Sequence, residues 1–443
     1  MRTFKATFIM EAQRLLDKKK MGVLLLFLIL CLYFVQTGIN NYKSIIETRE
    51  EFQDIERLKV QQYINYAQYG AYGFRMLFVP GPLSVYFVNS SVISELTANV
   101  DTGERLNIYN SFKGRTLFTE KAGGFKDFSG IMLLLGSLLI LYFGYESMIH
   151  KDYHRFLAGF TDLKKLFLSI VSSRVIIFSV FFLFIGGLSL LLLKLNGIIL
   201  SENQWHHWFA FMGVLVLLSV FFFALGTIAG TFKSRFTGFV TLISMWFVFV
   251  FLVPWVINAV TAHKADNIAS IYRLELEKLK ILMGFEKEAK AKEGPVTDSN
   301  TGKEREMVES AWKNEFKAIR ALETKLADEM QTNIYRFQRL SCFFPSTFYL
   351  SAGNEISGKG YENFIRFFDR ILTLKWQFIR FYIDKKYYSD FSGVEPFIKG
   401  SENLFYSETV LPRGFLEGVL YALVYILVLF AVSYVRFKRS VRI

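Results

Sequence analysis

Cysteine is nearly absent: Cys31 and Cys342 are the two in 443 residues, too few for a disulfide scaffold or a Cys-based zinc cluster. Cys31 also lies inside an apolar run, so no bridge to Cys342 is expected. With 7 prolines and 30 glycines, the chain lacks the composition of a disordered or low-complexity protein. A phosphate-binding G-x-x-x-x-G-K-[ST] loop is missing, and Ser357-Gly358-Lys359-Gly360 is a turn that does not replace it. The chain is therefore not expected to hydrolyse ATP itself. G-x-S-x-G and H-E-x-x-H are missing too, which removes two common hydrolase sites. The nearest metal-like spacing is His150-Lys151-Asp152-Tyr153-His154, two imidazoles at i, i+4. It has no glutamate to act as base and no third ligand nearby, so a polar interfacial helix is the plainer reading. No catalytic, cofactor-binding or metal-ligating residue is assigned.

What the sequence does hold is apolar length. Hydrophobic residues make up 52 %, Phe alone numbers 48, and mean hydropathy is +0.29. A bilayer core of about 30 Å needs about 20 apolar residues as helix, because backbone groups cannot stay unpaired in hydrocarbon. Six runs qualify, at 21–38, 129–146, 169–194, 207–232, 238–258 and 413–436. The expected fold is an α-helical polytopic membrane protein with six transmembrane helices. The first run is followed by Gln36-Thr37-Gly38-Ile39-Asn40, with no small-residue cleavage site, so a retained anchor is expected.

The net charge of +13 raises the question of nucleic acid or an anionic surface. Its distribution answers it. Segments 1–20 and 436–443 each carry +4, and 147–168 and 233–235 each carry +2. The positive-inside bias then places both termini, a cytoplasmic helix at 147–168 and a link at 233–237 in the cytoplasm, with 437–443 as a basic tail. A short link at 195–206 and two large insertions, 39–128 and 259–412, fall outside and are nearly charge-neutral. Nucleic acid is not an expected partner; membrane lipids are. The expected location is a bacterial inner membrane, multi-pass, with large periplasmic or external portions.

The second insertion reads mainly as helix. Ile268, Tyr272, Leu276, Leu279 and Met283 recur every three or four residues, a turn-rich break follows at 294–302, and a second stripe runs from Trp312 through Phe316, Ile319 and Leu322 to Phe337. Such an amphipathic hairpin needs a cover, either the rest of the external domain or a second protomer. A third stripe, Phe364, Phe368, Ile371, Leu374, Phe378 and Tyr382, is interleaved with basic residues. It fits a half-buried helix with a solvated basic face, or one lying on lipid. Residues 43–120 give mixed signals and no fold assignment. The sequon Asn89-Ser90-Ser91 is noted without weight.

Charges at the membrane border need an account. Arg174 and Lys194 bracket the third run and are expected to snorkel to opposite interfaces. Arg413 and Glu417 stand at i, i+4 before the sixth run, where they are expected to pair. Residues 3–20 form an in-plane amphipathic helix with Phe4, Phe8, Ile9, Ala12, Leu15 and Leu16 on its apolar face. Glu146 ends the second run, and 147–168 then reads as a short amphipathic helix through Phe156, Leu157 and Phe160. It is either a docking knob for a soluble partner or a passive connector.

This order of parts resembles the permease subunits of ABC exporters of the ABC-2 type. The likeness is carried by the in-plane helix, by Glu146 before the cytoplasmic helix, and by the Ser173-Arg174 entry to the third span. Gly226 to Arg235 is similar to the family's fourth-span exit, and Trp246 to Pro254 to its fifth span. Phe344-Pro345-Ser346, then Ser357-Gly358-Lys359-Gly360-Tyr361 and Phe364, look like the branch labelled multi-copper-enzyme-maturation permeases. The family's Glu-x-Glu-x-x-x-Gly pattern is met loosely by Glu146 and Gly159. The resemblance implies a homodimer, or a pair with a paralogous permease, bound to separate ABC ATPase subunits that hold ATP and Mg. It implies export of an amphiphilic or peptide-like substrate, with Glu146, Lys151, Asp152, Tyr153, Arg155 and Phe156 as ATPase-coupling residues. A transmitter that moves its external domains to regulate an envelope partner is the alternative; a membrane-tethered metal enzyme using His150 and His154 is a weaker one.

Overall fold

A computed structural model describes residues 2–15, 17–88, 97–102, 107–109, 127–262, 276–281, 283–284, 301–388, 394–397, 404–406 and 409–442. Six helices among them are long and apolar enough to cross a membrane. The chain is an α-helical polytopic membrane protein. Helix α1 spans Arg2–Leu15, α2 runs unbroken over Lys18–Gln61, and α3 covers Tyr66–Tyr72. Then come α4 (Phe128–Ile149), α5 (Lys151–Ala158), α6 (Leu163–Leu195), α7 (Glu202–Gly230) and α8 (Arg235–Ile257). Helices α9 (Thr301–Cys342), α10 (Pro345–Ile356), α11 (Tyr361–Tyr388) and α12 (Phe415–Arg442) follow.

The long α2 has an apolar first half and a charged second half, with no proline to stop it. Its 44 residues reach about 66 Å at about 1.5 Å each, roughly twice a bilayer core. The expected border at residue 38 is therefore a change of surface and not of backbone. Two spans contain a widened π turn, Met132–Gly136 in α4 and Val248–Leu252 in α8. In α8 the cause is Pro254, which has no N–H to give the carbonyl of Val250. The two turns are linked: Trp246 Nε1 donates to Ser137 Oγ at 3.0 Å, and Ser137 Oγ donates back to the carbonyls of Leu133 and Leu134.

The two insertions meet in one sheet of order β3-β2-β1-β4. Strands β1 (Phe74–Phe78), β2 (Thr97–Val100) and β3 (Asn107–Tyr109) come from the first, and β4 (Phe405–Tyr406) from the second. β1 pairs antiparallel with β2, Phe74 opposite Val100, and parallel with β4, Leu77 opposite Phe405. Helix α11 packs on α3 and β2, burying Phe364, Phe368, Ile371, Leu374, Phe378 and Tyr382. Its aromatic stripe is thus a core face, not a lipid-facing one. In the hairpin, Lys278 and Glu323 form a 2.7 Å ion pair, each side chain 1 % exposed. Ile268, Tyr272, residues 294–300 of the turn-rich break and the Asn89 sequon lie outside the described residues.

At the sheet side of the bundle, Leu83–Phe87 and α10 are buried between the spans. The Tyr86 and Ser189 hydroxyls hydrogen-bond at 2.7 Å, and Phe87, Phe128 and Tyr349 surround Phe211. Here too Arg413 departs from the expected i, i+4 pair. It bonds Glu362 at 3.1 Å, because Glu362 at the start of α11 is nearly buried and takes the nearest cation, while Glu417 stays exposed.

Candidate functional site at the basic end of the bundle

Helix α1, helix α5, the α7–α8 link and the last turns of α12 gather at one end of the bundle. The contacts that show it are Arg14 over the Tyr153 ring at 4.7 Å, Arg436 over Phe232 at 4.1 Å and Phe437 against His154 at 5.4 Å. This is the end that carries the basic segments of the sequence.

At its centre Arg174 is fully buried. The side chain was expected to snorkel, but α6 begins at Leu163, so Arg174 stands more than two turns inside the helix. A guanidinium in that position keeps its charge and must find acceptors for its five N–H groups. Its Nε and Nη2 donate to Glu11 Oε2 at 3.1 and 2.9 Å. Its Nη1 donates to the Phe143 carbonyl at 3.0 Å and to Glu146 Oε2 at 3.4 Å. Glu146 also holds Lys20 Nζ at 2.5 Å, and Glu11 holds Arg14 at 2.9 Å. Three cations and two carboxylates thereby fasten α1, the start of α2, the end of α4 and α6 to one another. Lys194, at the far end of α6, is exposed as expected of an interfacial lysine.

Glu11 is the residue that sequence reading missed. It sits four residues before Leu15 on the same side of α1, and both are buried. An acid on the buried side of an amphipathic helix is the signal that pointed to a buried cation.

Helix α5 has two faces. On the inner one, Lys151 Nζ donates to the carbonyls of Phe232 and Lys233 at 2.7 and 3.4 Å, taking up carbonyls left beyond the end of α7. His154 is buried against Phe437 and Tyr153, with no hydrogen-bond partner for either ring nitrogen among the described residues. Burial, with Arg14 and His150 adding to it, pushes its pKa down to about 3, so the ring is a neutral packing element. On the outer face Asp152 and Arg155 form a loose 3.5 Å pair. Beside them Phe156 and Phe160 stand 66 % and 71 % exposed, their rings 5.1 Å apart. Of the six expected coupling residues, Asp152, Arg155 and Phe156 therefore face outward together. Lys151 and Tyr153 instead fix α5 to the bundle, and Glu146 belongs to the Arg174 cluster. Among the described residues no group of three or more His, Cys, Asp or Glu is placed to hold a metal ion.

Behind α5, α4 crosses α7 with backbones in contact. A Cβ on Gly144 would meet the Phe223 carbonyl, and one on Gly226 the Leu141 carbonyl. Gly226 and Gly230 form a small-x-x-x-small spacing of the kind that lets membrane helices approach closely.

Searches among family models, curated proteins and solved structures return no match to this chain.

Proposed function

We propose that this chain is the membrane subunit of an ATP-driven exporter of the ABC-2 type, with the basic end in the cytoplasm. A separate ABC ATPase would supply ATP hydrolysis and hold ATP and Mg. The observation that carries this reading is the two-faced helix α5. Its outer face presents Phe156 and Phe160 to a partner, and its inner face is fastened to the α7–α8 link through Lys151 and to α12 through His154. Exposed aromatics beside a charged pair are the composition of a protein-binding hot spot. The neighbouring Arg174 cluster joins α5's surroundings to α1, α4 and α6, so a push on α5 reaches most of the bundle. ATPase closure needs only to bind one arrangement of these helices better than the other to drive a cycle. The substrate class is amphiphilic or peptide-like, and the working unit is a homodimer or a pair with a paralogous permease.

A second reading rests on α2. One unbroken helix runs from the Arg174 cluster, through Lys20, to the external sheet, where Glu56 holds Arg75 at 2.5 Å. Such a rod suits a transmitter that moves the sheet domain without transporting anything. The full chain purified from its native membrane should carry a P-loop ATPase whose activity co-elutes with it. Phe156→Asp with Phe160→Asp, or charge reversal at Lys151 and Arg155, should remove that activity. If no ATPase associates, both readings fall. ATP-dependent movement of an amphiphile in inverted vesicles then separates export from transmission.

A further inference from the structure

Where α9 descends to the start of α12, a cavity of about 360 Å³ opens at the border of the bundle, lined by Val260, Arg336, Arg339, Leu340, Phe343 and Tyr421, with Asn333 at its edge. Its volume lies within the range of about 300–1,000 Å³ common for ligand pockets. The floor is apolar and aromatic: Phe343 stacks on Tyr421 with ring centroids 4.7 Å apart and planes 15° from parallel. Tyr421 lies six residues into α12, about 9 Å below its start, on a helix apolar enough to span a membrane. One and two turns further along that face, Val424 and Val428 are exposed.

The upper wall is cationic. Asn333, Arg336, Arg339 and Leu340 recur at helical spacing on one side of α9, and both arginines are exposed. Neither has an ion-pair partner among the described residues. Their neighbours one turn away on α9 are Thr332, Asn333, Tyr335, Leu340, Cys342 and Phe343, none of them acidic. Two guanidiniums at i, i+3 with no acid one turn away on their own helix repel each other; the Glu417 carboxylate of α12 lies by Cys342 and, among the described residues, forms no ion pair with either. An anion between them removes that repulsion and receives forked hydrogen bonds.

We propose that this cavity binds an anionic phospholipid of the surrounding leaflet. The phosphate lies between Arg336 and Arg339, the glycerol region fills the space above the Phe343–Tyr421 pair, and the acyl chains run over Val260 and down α12 past Val424 and Val428. The vertical order decides the class. Charge sits on the side toward the external domain and apolar surface on the side toward the span, the order of parts in a lipid. A free phosphate would have no use for the aromatic floor. The site depends only on the chain spanning a membrane and stands whether or not it transports.

Native mass spectrometry of the full chain, after exchange into nanodiscs of equal phosphatidylglycerol and phosphatidylcholine with matched acyl chains, tests this. One phosphatidylglycerol per chain should be retained with about tenfold preference over phosphatidylcholine. Arg336→Gln with Arg339→Gln should abolish the preference, while Lys317→Gln, elsewhere on α9, should leave it. Val260→Trp, which fills the space and keeps both arginines, should also release the lipid. Equal retention of the two lipids, retention unchanged in the arginine pair or in Val260→Trp, or displacement of the lipid by millimolar inorganic phosphate would overturn the proposal, the last by marking a free-anion site.

Discussion

The two ends of the bundle bury ionisable groups in opposite ways. At the basic end, Arg174 and Glu11 are sequestered as a bonded pair, with Glu146, Lys20 and Arg14 completing the charge balance. At the sheet end, Glu355 and Lys359 are equally buried but have no ion pair with each other among the described residues. Glu355 takes hydrogen bonds from Gln338 Nε2 at 2.9 Å and from the Glu362 backbone N–H at 3.2 Å, and Lys359 Nζ donates to the Phe87 carbonyl at 3.1 Å. Burial pushes Glu355 up to about 7 and Lys359 down to about 8. A paired buried charge is strongly destabilising to break, whereas an unpaired one moves toward neutrality instead. The basic end is thus held by a buried ion-pair cluster, whereas around Glu355 and Lys359 the sheet end is held by hydrogen bonds and by the aromatic packing around Phe211, with the Arg413–Glu362 pair at its partly exposed rim.

Breaking the charged end should have the largest effect. Arg174→Met leaves Glu11 buried without its main partner and should cost about 3–5 kcal/mol, read as a lower thermal midpoint in detergent. Adding Glu11→Leu should recover part of that loss, which a contribution from Arg174 packing alone would not. The helix crossing behind α5 comes next. Gly226→Ala forces a Cβ against the Leu141 carbonyl and should cost about 1–3 kcal/mol; the same change at Gly187, where an added Cβ would meet open space, should be nearly silent.

The sheet end should answer to pH rather than to charge removal. Folded Glu355 keeps its proton up to about 7, whereas its ordinary value is 4.5. Its contribution to stability is complete below 4.5 and is lost as the pH rises through about 7. Lys359, lowered from 10.5 to about 8, contributes above 10.5 and loses that as the pH falls through about 8. Thermal midpoints against pH should therefore dip between about 7 and 8. Glu355→Gln should flatten the acid side of the dip and Lys359→Met the alkaline side.

The contrast also explains what the sequence made legible. Six spans follow from apolar length alone, and the basic end from the distribution of Lys and Arg. Arg174 stood out as a charge beside an apolar run, but its burial depended on α6 starting at Leu163 and on Glu11 facing inward, both outcomes of packing. The sheet was out of reach, because β1 and β4 lie more than 300 residues apart and β4 has only two residues. Arg413 was assigned to its sequence neighbour Glu417, while its partner Glu362 is brought near by the fold.

The smallest effect on stability falls on the outer face of α5, and it bears most directly on function. Phe156→Asp with Phe160→Asp should change the thermal midpoint little, since both rings are exposed and surface substitutions usually stay within about 0.5 kcal/mol each. In the full chain purified from native membranes, the same pair should abolish co-eluting, P-loop-dependent ATPase activity. An ATPase that still co-elutes in full with the doubly substituted chain would contradict α5 as the docking face.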